Sequence, residues 1–247
     1  MSVIVAIVDA HGALWMGGDA AGVDATSCDR TRLREPKLFR LALGTTGVEV
    51  LIGFAGSPRI GQVLRYDLTL PSIGDKEMPE RYLTRALVPA VRATLAEHGV
   101  LRADRGVDSL GETALLIGLR GRVFVLDNDL AWSESEDPFA AVGAGAPYAK
   151  GYLAATDWRS AKGMPTPWGV LRGALTVAER FNAACGEPFT VLAEHDVVRC
   201  ECRSDQAVVD VAVHGAHALA RRFWEEANPG FLLEDVRARV RQATKVA

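Results

Sequence analysis

The sequence predicts an α+β chain: two stacked, mainly antiparallel sheets with helices on both outer sides, a four-layer αββα arrangement. Three observations carry this. The chain opens on two short apolar strands joined by a turn. Its elements then follow the order strands, two helices, strands, two helices, strand. Its 247 residues are 49% hydrophobic, enough to fill a sizeable core.

Ser2 to Val8 is a β-branched apolar run, Asp9, His11 and Gly12 supply a turn, and Ala13 to Met16 forms a second strand closed by Gly17, Gly18 and Asp19. A hairpin that begins at the second residue is expected to leave no room for a targeting arm. Ala20 to Pro36 is polar and aperiodic and reads as a long loop or irregular arm. Lys37 to Leu43 and Val48 to Gly56 are strands around Gly44-Thr45-Thr46-Gly47. Ser57 caps a helix with Pro58 at its first position, running over Arg59 to Leu68. Pro79 to His98 places Tyr82, Leu83, Ala86, Leu87, Val91 and Leu95 at helical spacing, with Gly99 as the stop.

Glu112 to Leu119 and Arg122 to Leu126 flank the turn Arg120-Gly121, and Phe139 to Val142 is a further short strand. Gly143-Ala144-Gly145-Ala146-Pro147 leads into a helix from Tyr148 to Ala155. A second helix covers Pro167 to Ala184, capped by Thr166 and stopped by Gly186, and Phe189 to Leu192 returns as a strand. A helical pattern from Ser204 to Ala227, ended by Asn228-Pro229-Gly230, precedes a charged amphipathic helix over Phe231 to Lys245. The expected organisation is a domain over residues 1–202 and a C-terminal helical extension over 203–247. No repeat and no low-complexity segment interrupts it.

Lys plus Arg number 28 against 31 Asp plus Glu, so there is no basic excess to hold a phosphate backbone, and nucleic acid is not an expected partner. The opening apolar run is short and has no Lys or Arg before it, and no later run approaches membrane-spanning length. A cytoplasmic protein without membrane attachment is expected. The four cysteines, Cys28, Cys185, Cys200 and Cys202, do not form a disulfide framework. Cys200 and Cys202, with His195, His214 and His217 near them in sequence, invite a metal reading, but their one-residue spacing is shorter than that of a zinc knuckle. Neither a metal nor a cofactor is expected.

Ser2 is small, the kind of residue behind which an initiator methionine is removed. Removal of Met1 leaves a hydroxyl and a free α-amine on one residue. An α-amine with a pKa of about 7.7–8.0 is partly neutral at pH 7. One residue then serves as nucleophile and general base. The same residue also reads as the ordinary start of a strand.

Ser2, Gly17-Gly18-Asp19, Lys37 and Gly53-Phe54-Ala55-Gly56-Ser57 each stand at the end of an expected strand. Together with Gly143-Ala144-Gly145-Ala146-Pro147-Tyr148-Ala149, this ordered set resembles the β-type subunits of the proteasome. The bacterial ring peptidase that works with an unfolding ATPase is especially similar. These are N-terminal nucleophile (Ntn) hydrolases, and the resemblance covers roughly residues 2 to 192.

The resemblance implies a peptidase of the same αββα fold, with Ser2 in place of the usual N-terminal threonine. It implies that Asp19 and Lys37 are the buried pair beneath the nucleophile. A cation there disfavours a second positive charge on the α-amine and lowers its pKa. The same two residues also fit a plain structural ion pair. Gly56 is implied as the oxyanion donor, a role typically worth about 10² to 10³ in rate. The alternative is that Gly53 and Gly56 permit close sheet packing.

Three positions depart from the family pattern. Serine replaces threonine and loses the methyl group that fixes the rotamer. Ala144 stands where relatives often carry serine, and Thr166-Pro167 stand where an aspartate is common. The implied partners are a peptide or protein substrate, other copies of the chain in a ring, and an ATPase. A non-catalytic ring subunit and a small-molecule amidase are the two other functions compatible with these residues.

Overall fold

The computed structural model describes residues 2–23, 30–104, 106–156, 158–159, 166–194, 198–203 and 206–211. β1 (Ile4–Val8) and β2 (Leu14–Gly18) form the opening antiparallel hairpin, with Ile4 opposite Gly18 and Val8 opposite Leu14. Asp9 ties the turn: its carboxylate accepts from the N–H groups of His11 and Ala13 at 2.9 Å and from Trp15 Nε1 at 3.1 Å. β3 (Ala21–Val23) and β4 (Arg30–Arg32) pair as a short hairpin, followed by β5 (Leu38–Ala42) and β6 (Glu49–Ala55). α1 (Pro58–Tyr66) comes next, then α2 (Pro79–Tyr82), a π turn (Leu83–Leu87) and α3 (Val88–Glu97) in one helical run. β7 (Arg102–Asp104) pairs with β8 (Val107–Ser109). β9 (Ala114–Leu119), β10 (Arg122–Leu126), β11 (Trp132–Glu134) and β12 (Phe139–Val142) follow. α4 (Ala146–Ala155), α5 (Pro167–Phe181), β13 (Thr190–Ala193) and the paired β14 (Val198–Arg203) and β15 (Gln206–Val211) complete the described chain.

Two larger sheets, both antiparallel, organise the fold: β12, β1, β2, β13 in one and β11, β10, β9, β6, β5 in the other. Strand alternation assigns their faces. On the first sheet, Val3, Val5 and Ile7 pack with Ala149 and Leu153 of α4 and with Leu171 and Leu175 of α5. The intervening Ile4 and Ala6 join Leu14 and Met16 in a cluster with Leu38, Leu51 and Leu116 of the second sheet. On the second sheet, Val50, Ile52, Leu115 and Ile117 pack with Ile60 and Leu64 of α1 and with Leu83, Leu87 and Val91 of the later helical run. Close approach of the sheets depends on two residues without side chains. A Cβ at Gly53 would stand 2.6 Å from Ile4 Cγ2, and one at Gly118 2.6 Å from Leu14 Cδ2.

Several expectations are corrected. Gly17 and Gly18 belong to β2 rather than closing it, because Leu175 and Ile4 fill the space that side chains there would take. The arm over Ala20 to Pro36 contains β3 and β4, whose three residues each are too short to show a period. The expected single helix over Pro79 to His98 is interrupted by the π turn. Pro89 has no N–H for the carbonyl four residues back, and the Val88 N–H reaches Leu83 O, five residues back. α5 ends at Phe181 rather than Ala184, since Asn182 leaves the helix and its side chain accepts from the Ala184 N–H at 2.9 Å. The helix expected from Ser204 opens instead as β15, whose Val208, Val209 and Val211 favour a strand. The rest of the expected C-terminal extension lies outside the described residues. Among the described residues no helix is long and apolar enough to cross a membrane.

Candidate active site

The opening hairpin fixes the first two site residues. Ser2 precedes β1 and Asp19 follows β2, and the Asp19 N–H closes the pairing on Val3 O at 3.2 Å. Lys37 stands just before β5, in the other sheet, and its side chain crosses to both of them. Lys37 Nζ donates to Ser2 Oγ at 2.5 Å, to Asp19 Oδ1 at 2.9 Å, and to Ala21 O. All three ammonium donors are therefore used. Asp19 is held as completely: Oδ1 also accepts from the Val3 N–H at 3.0 Å, and Oδ2 accepts from the N–H groups of Ala21 at 3.1 Å and Gly186 at 3.3 Å.

Exposure of Ser2, Asp19 and Lys37 is 2%, 1% and 3%. At that depth an unpaired charge is not tolerated, so the ion pair and its backbone partners are what allow Lys37 to sit beneath a hydroxyl. The Ser2 oxygen accepts a charge-assisted bond, which favours its ionised form. A neighbouring thiol is excluded from this chemistry: burial, and after it the negative charge of Asp19, pushes the Cys185 thiol up to about 12. It stays protonated at neutral pH.

Gly56 lies one residue beyond β6 with φ of +138°, a conformation that suits glycine. A Cβ there would meet Thr113 Oγ1 at 2.5 Å and Thr113 Cα at 2.6 Å. Gly143, φ +94°, abuts Ser2 directly: a Cβ on it would lie 2.3 Å from Ser2 O and 2.8 Å from Ala55 Cβ. Ser2 O in turn accepts from the Gly145 N–H at 3.2 Å. Gly56, Ser57, Thr113, Gly143 and Ala144 line a cavity of about 650 Å³, whose lining also includes Arg59, Arg102 and Glu112. A smaller cavity of about 200 Å³ opens across the start of α1, between Pro36, Phe54 and Gln62.

The structure thus gathers Ser2, Asp19 and Lys37 into one bonded cluster and sets Gly56 on the adjoining cavity wall. Of the two departures other than Ser2, Ala144 also lines that cavity, its carbonyl accepting from Asn182 Nδ2 at 2.9 Å. Thr166 is an exposed cap of α5, accepting from the Gly169 N–H at 3.2 Å. Sequence reasoning missed Thr113, Ala21 O and the Gly186 N–H. The last two act through the backbone and leave no side-chain signal. Among the described residues no group of three or more His, Cys, Asp or Glu stands together as a metal site, and the side chains of Cys200 and Cys202 lie outside them.

No protein-family model matches the chain, and no curated protein matches it by sequence. Solved structures do match it in three dimensions. BPH from Thiobacillus denitrificans, in complex with epoxomicin, has a TM-score of 0.61 over 77% of this chain and 97% of that chain, at 18% identity. HslV from Trypanosoma brucei gives 0.54 over 78% and 99%, at 22% identity. The fold is that of the proteasome-like β subunits. Anbu from Yersinia bercovieri, described as an ancestral β-subunit, shares this proteasome-like fold with a TM-score of 0.55 over 94% of this chain and 99% of that chain, at 16% identity.

Proposed function

We propose that the chain is an Ntn hydrolase of the four-layer αββα type that cleaves peptide or amide bonds with Ser2 once Met1 is removed. The observation that carries this reading is the 2.5 Å bond from Lys37 Nζ to Ser2 Oγ, made by an ammonium group already fixed on Asp19. The three packing clusters, helix on sheet, sheet on sheet and sheet on helix, support the layer order.

The chemistry follows from the bonds. Ser2 Oγ accepts from Lys37, so its own proton is left for the α-amine that removal of Met1 frees. As Oγ attacks the substrate carbonyl, the amine takes that proton and the Lys37 cation offsets the charge growing on the oxygen. The carbonyl oxygen becomes an oxyanion that receives the Gly56 N–H. Collapse expels the leaving amine, which takes the proton back from the Ser2 ammonium, and water then cleaves the Ser2 ester. Lys37, fixed by its bonds to Asp19 Oδ1 and Ala21 O, supplies the neighbouring cation, and the α-amine carries the proton.

Assembly belongs to the same proposal: copies of the chain form a ring or helical homo-oligomer fed by an ATPase. The helical assembly of Anbu from Pseudomonas aeruginosa, which shares the fold, supports the oligomer. The test is Ser2→Ala, assayed on an unfolded polypeptide and on small amides. Hydrolysis lost by at least 10³-fold is expected, with the polypeptide as the better substrate. An unchanged rate would refute Ser2 as the nucleophile, and a preference for small amides would move the reading to an amidase.

A further inference from the structure

We infer that Thr113 is a positioning residue for the oxyanion donor. This rests on the reading of Gly56 just given. Thr113 stands immediately before β9, beside the end of β6, where Ala55 and Ala114 are paired across the strands. Its hydroxyl oxygen accepts from the Ser57 N–H at 3.0 Å, and it is buried at 1% exposure. Gly56 lies against it, as the 2.5 and 2.6 Å separations from a Cβ on Gly56 establish. The peptide on one side of Gly56 is therefore fixed by the strand pair and the peptide on the other side by Thr113 Oγ1.

The same packing runs back to the nucleophile. Gly143 fits between Ser2 O and Ala55 Cβ with no room for a side chain. Ser2, Gly143, Ala55, Gly56 and Thr113 thus form a continuous line of contacts that sets the offset between the attacking oxygen and the Gly56 N–H. Misplacing a catalytic group by about 1 Å can cost about 10²-fold. A hydroxyl that locks the Gly56-Ser57 peptide acts on the transition state and not on substrate binding.

The experiment compares Thr113→Val, which keeps the shape and removes the acceptor, with Thr113→Ser, which keeps the acceptor. For Thr113→Val we expect kcat for peptide hydrolysis to fall about 10- to 100-fold with KM within twofold, and Ser57 amide hydrogen exchange to speed up at least tenfold. Thr113→Ser restores kcat to within about threefold and restores the amide protection. The assignment is overturned if Thr113→Val keeps its kcat, if its loss lies in KM, or if the serine variant is as slow as the valine variant. The amide readout does not depend on hydrolysis: unchanged Ser57 exchange in Thr113→Val overturns the positioning bond even in an active enzyme. A wild-type protein that forms no Ser2 adduct with a peptide epoxyketone overturns the catalytic reading instead, whatever the exchange data give.

Discussion

Replacing Lys37 by methionine tests the buried cluster where its terms are largest. The substitution keeps an unbranched apolar stem and deletes the ammonium, so Asp19 loses one of four donors and Ser2 Oγ its cation. Removing one partner of a buried ion pair costs about 3–5 kcal/mol. Asp19 still accepts three backbone N–H bonds, from Val3, Ala21 and Gly186. They hold part of its charge, which places the expected loss near the lower bound, about 3 kcal/mol. For a domain of this size that is roughly 6–12 °C in Tm. Urea unfolding followed by tryptophan fluorescence reads the stability, and peptide hydrolysis, measured well below the new Tm, is expected to fall at least about 10²-fold. A variant that unfolds at the wild-type urea concentration and hydrolyses at the wild-type rate would refute both the pairing energetics and the role of the cation.

Two further outcomes follow from the packing and from the buried thiol. Gly53→Ala drives a Cβ to 2.6 Å from Ile4 Cγ2 between the sheets and is expected to cost about 1–3 kcal/mol in calorimetry. Gly47→Ala meets nothing within 4 Å and carries only the strain of a φ of +73°, so it is expected to cost less. Cys185 should resist alkylation at pH 8 in the native protein and react after urea unfolding, as peptide mapping by mass spectrometry would read. Its thiol is raised from 9.0 to about 12 in the fold, so between those values the unfolded chain has released a proton that the native state keeps. Its stabilising contribution is complete below pH 9 and declines above it, by up to about 1.4 kcal/mol per pH unit, and Cys185→Ala should flatten that slope in urea midpoints measured from pH 8 to 10.

What the sequence made legible is what local chemistry controls. The apolar runs of β1, β6, β9 and β10, the Asp9 turn, Pro58 at the start of α1 and the Thr166 cap all act within a few residues, and all appear where their residue types place them. β3, β4, β7, β8 and β11 have three residues each, too few to carry a period, and Arg30-Thr31-Arg32 is exposed throughout. Asp19 and Lys37 were legible as candidates only because the ordered motifs resemble a family. Their meeting is a contact between the two sheets, 18 residues apart, that no local pattern encodes. Thr113, 56 residues from Ser57, reads in the sequence as an ordinary strand threonine.

The measurement that bears most directly on the central proposal is the intact mass of the purified protein before and after treatment with a peptide epoxyketone, which reacts with both the hydroxyl and the α-amine of a terminal nucleophile. Expected is a chain lacking Met1 that gains a single adduct, mapped to Ser2, with no adduct on Ser2→Ala. A chain that retains Met1, or an adduct that maps elsewhere and persists in Ser2→Ala, would contradict it.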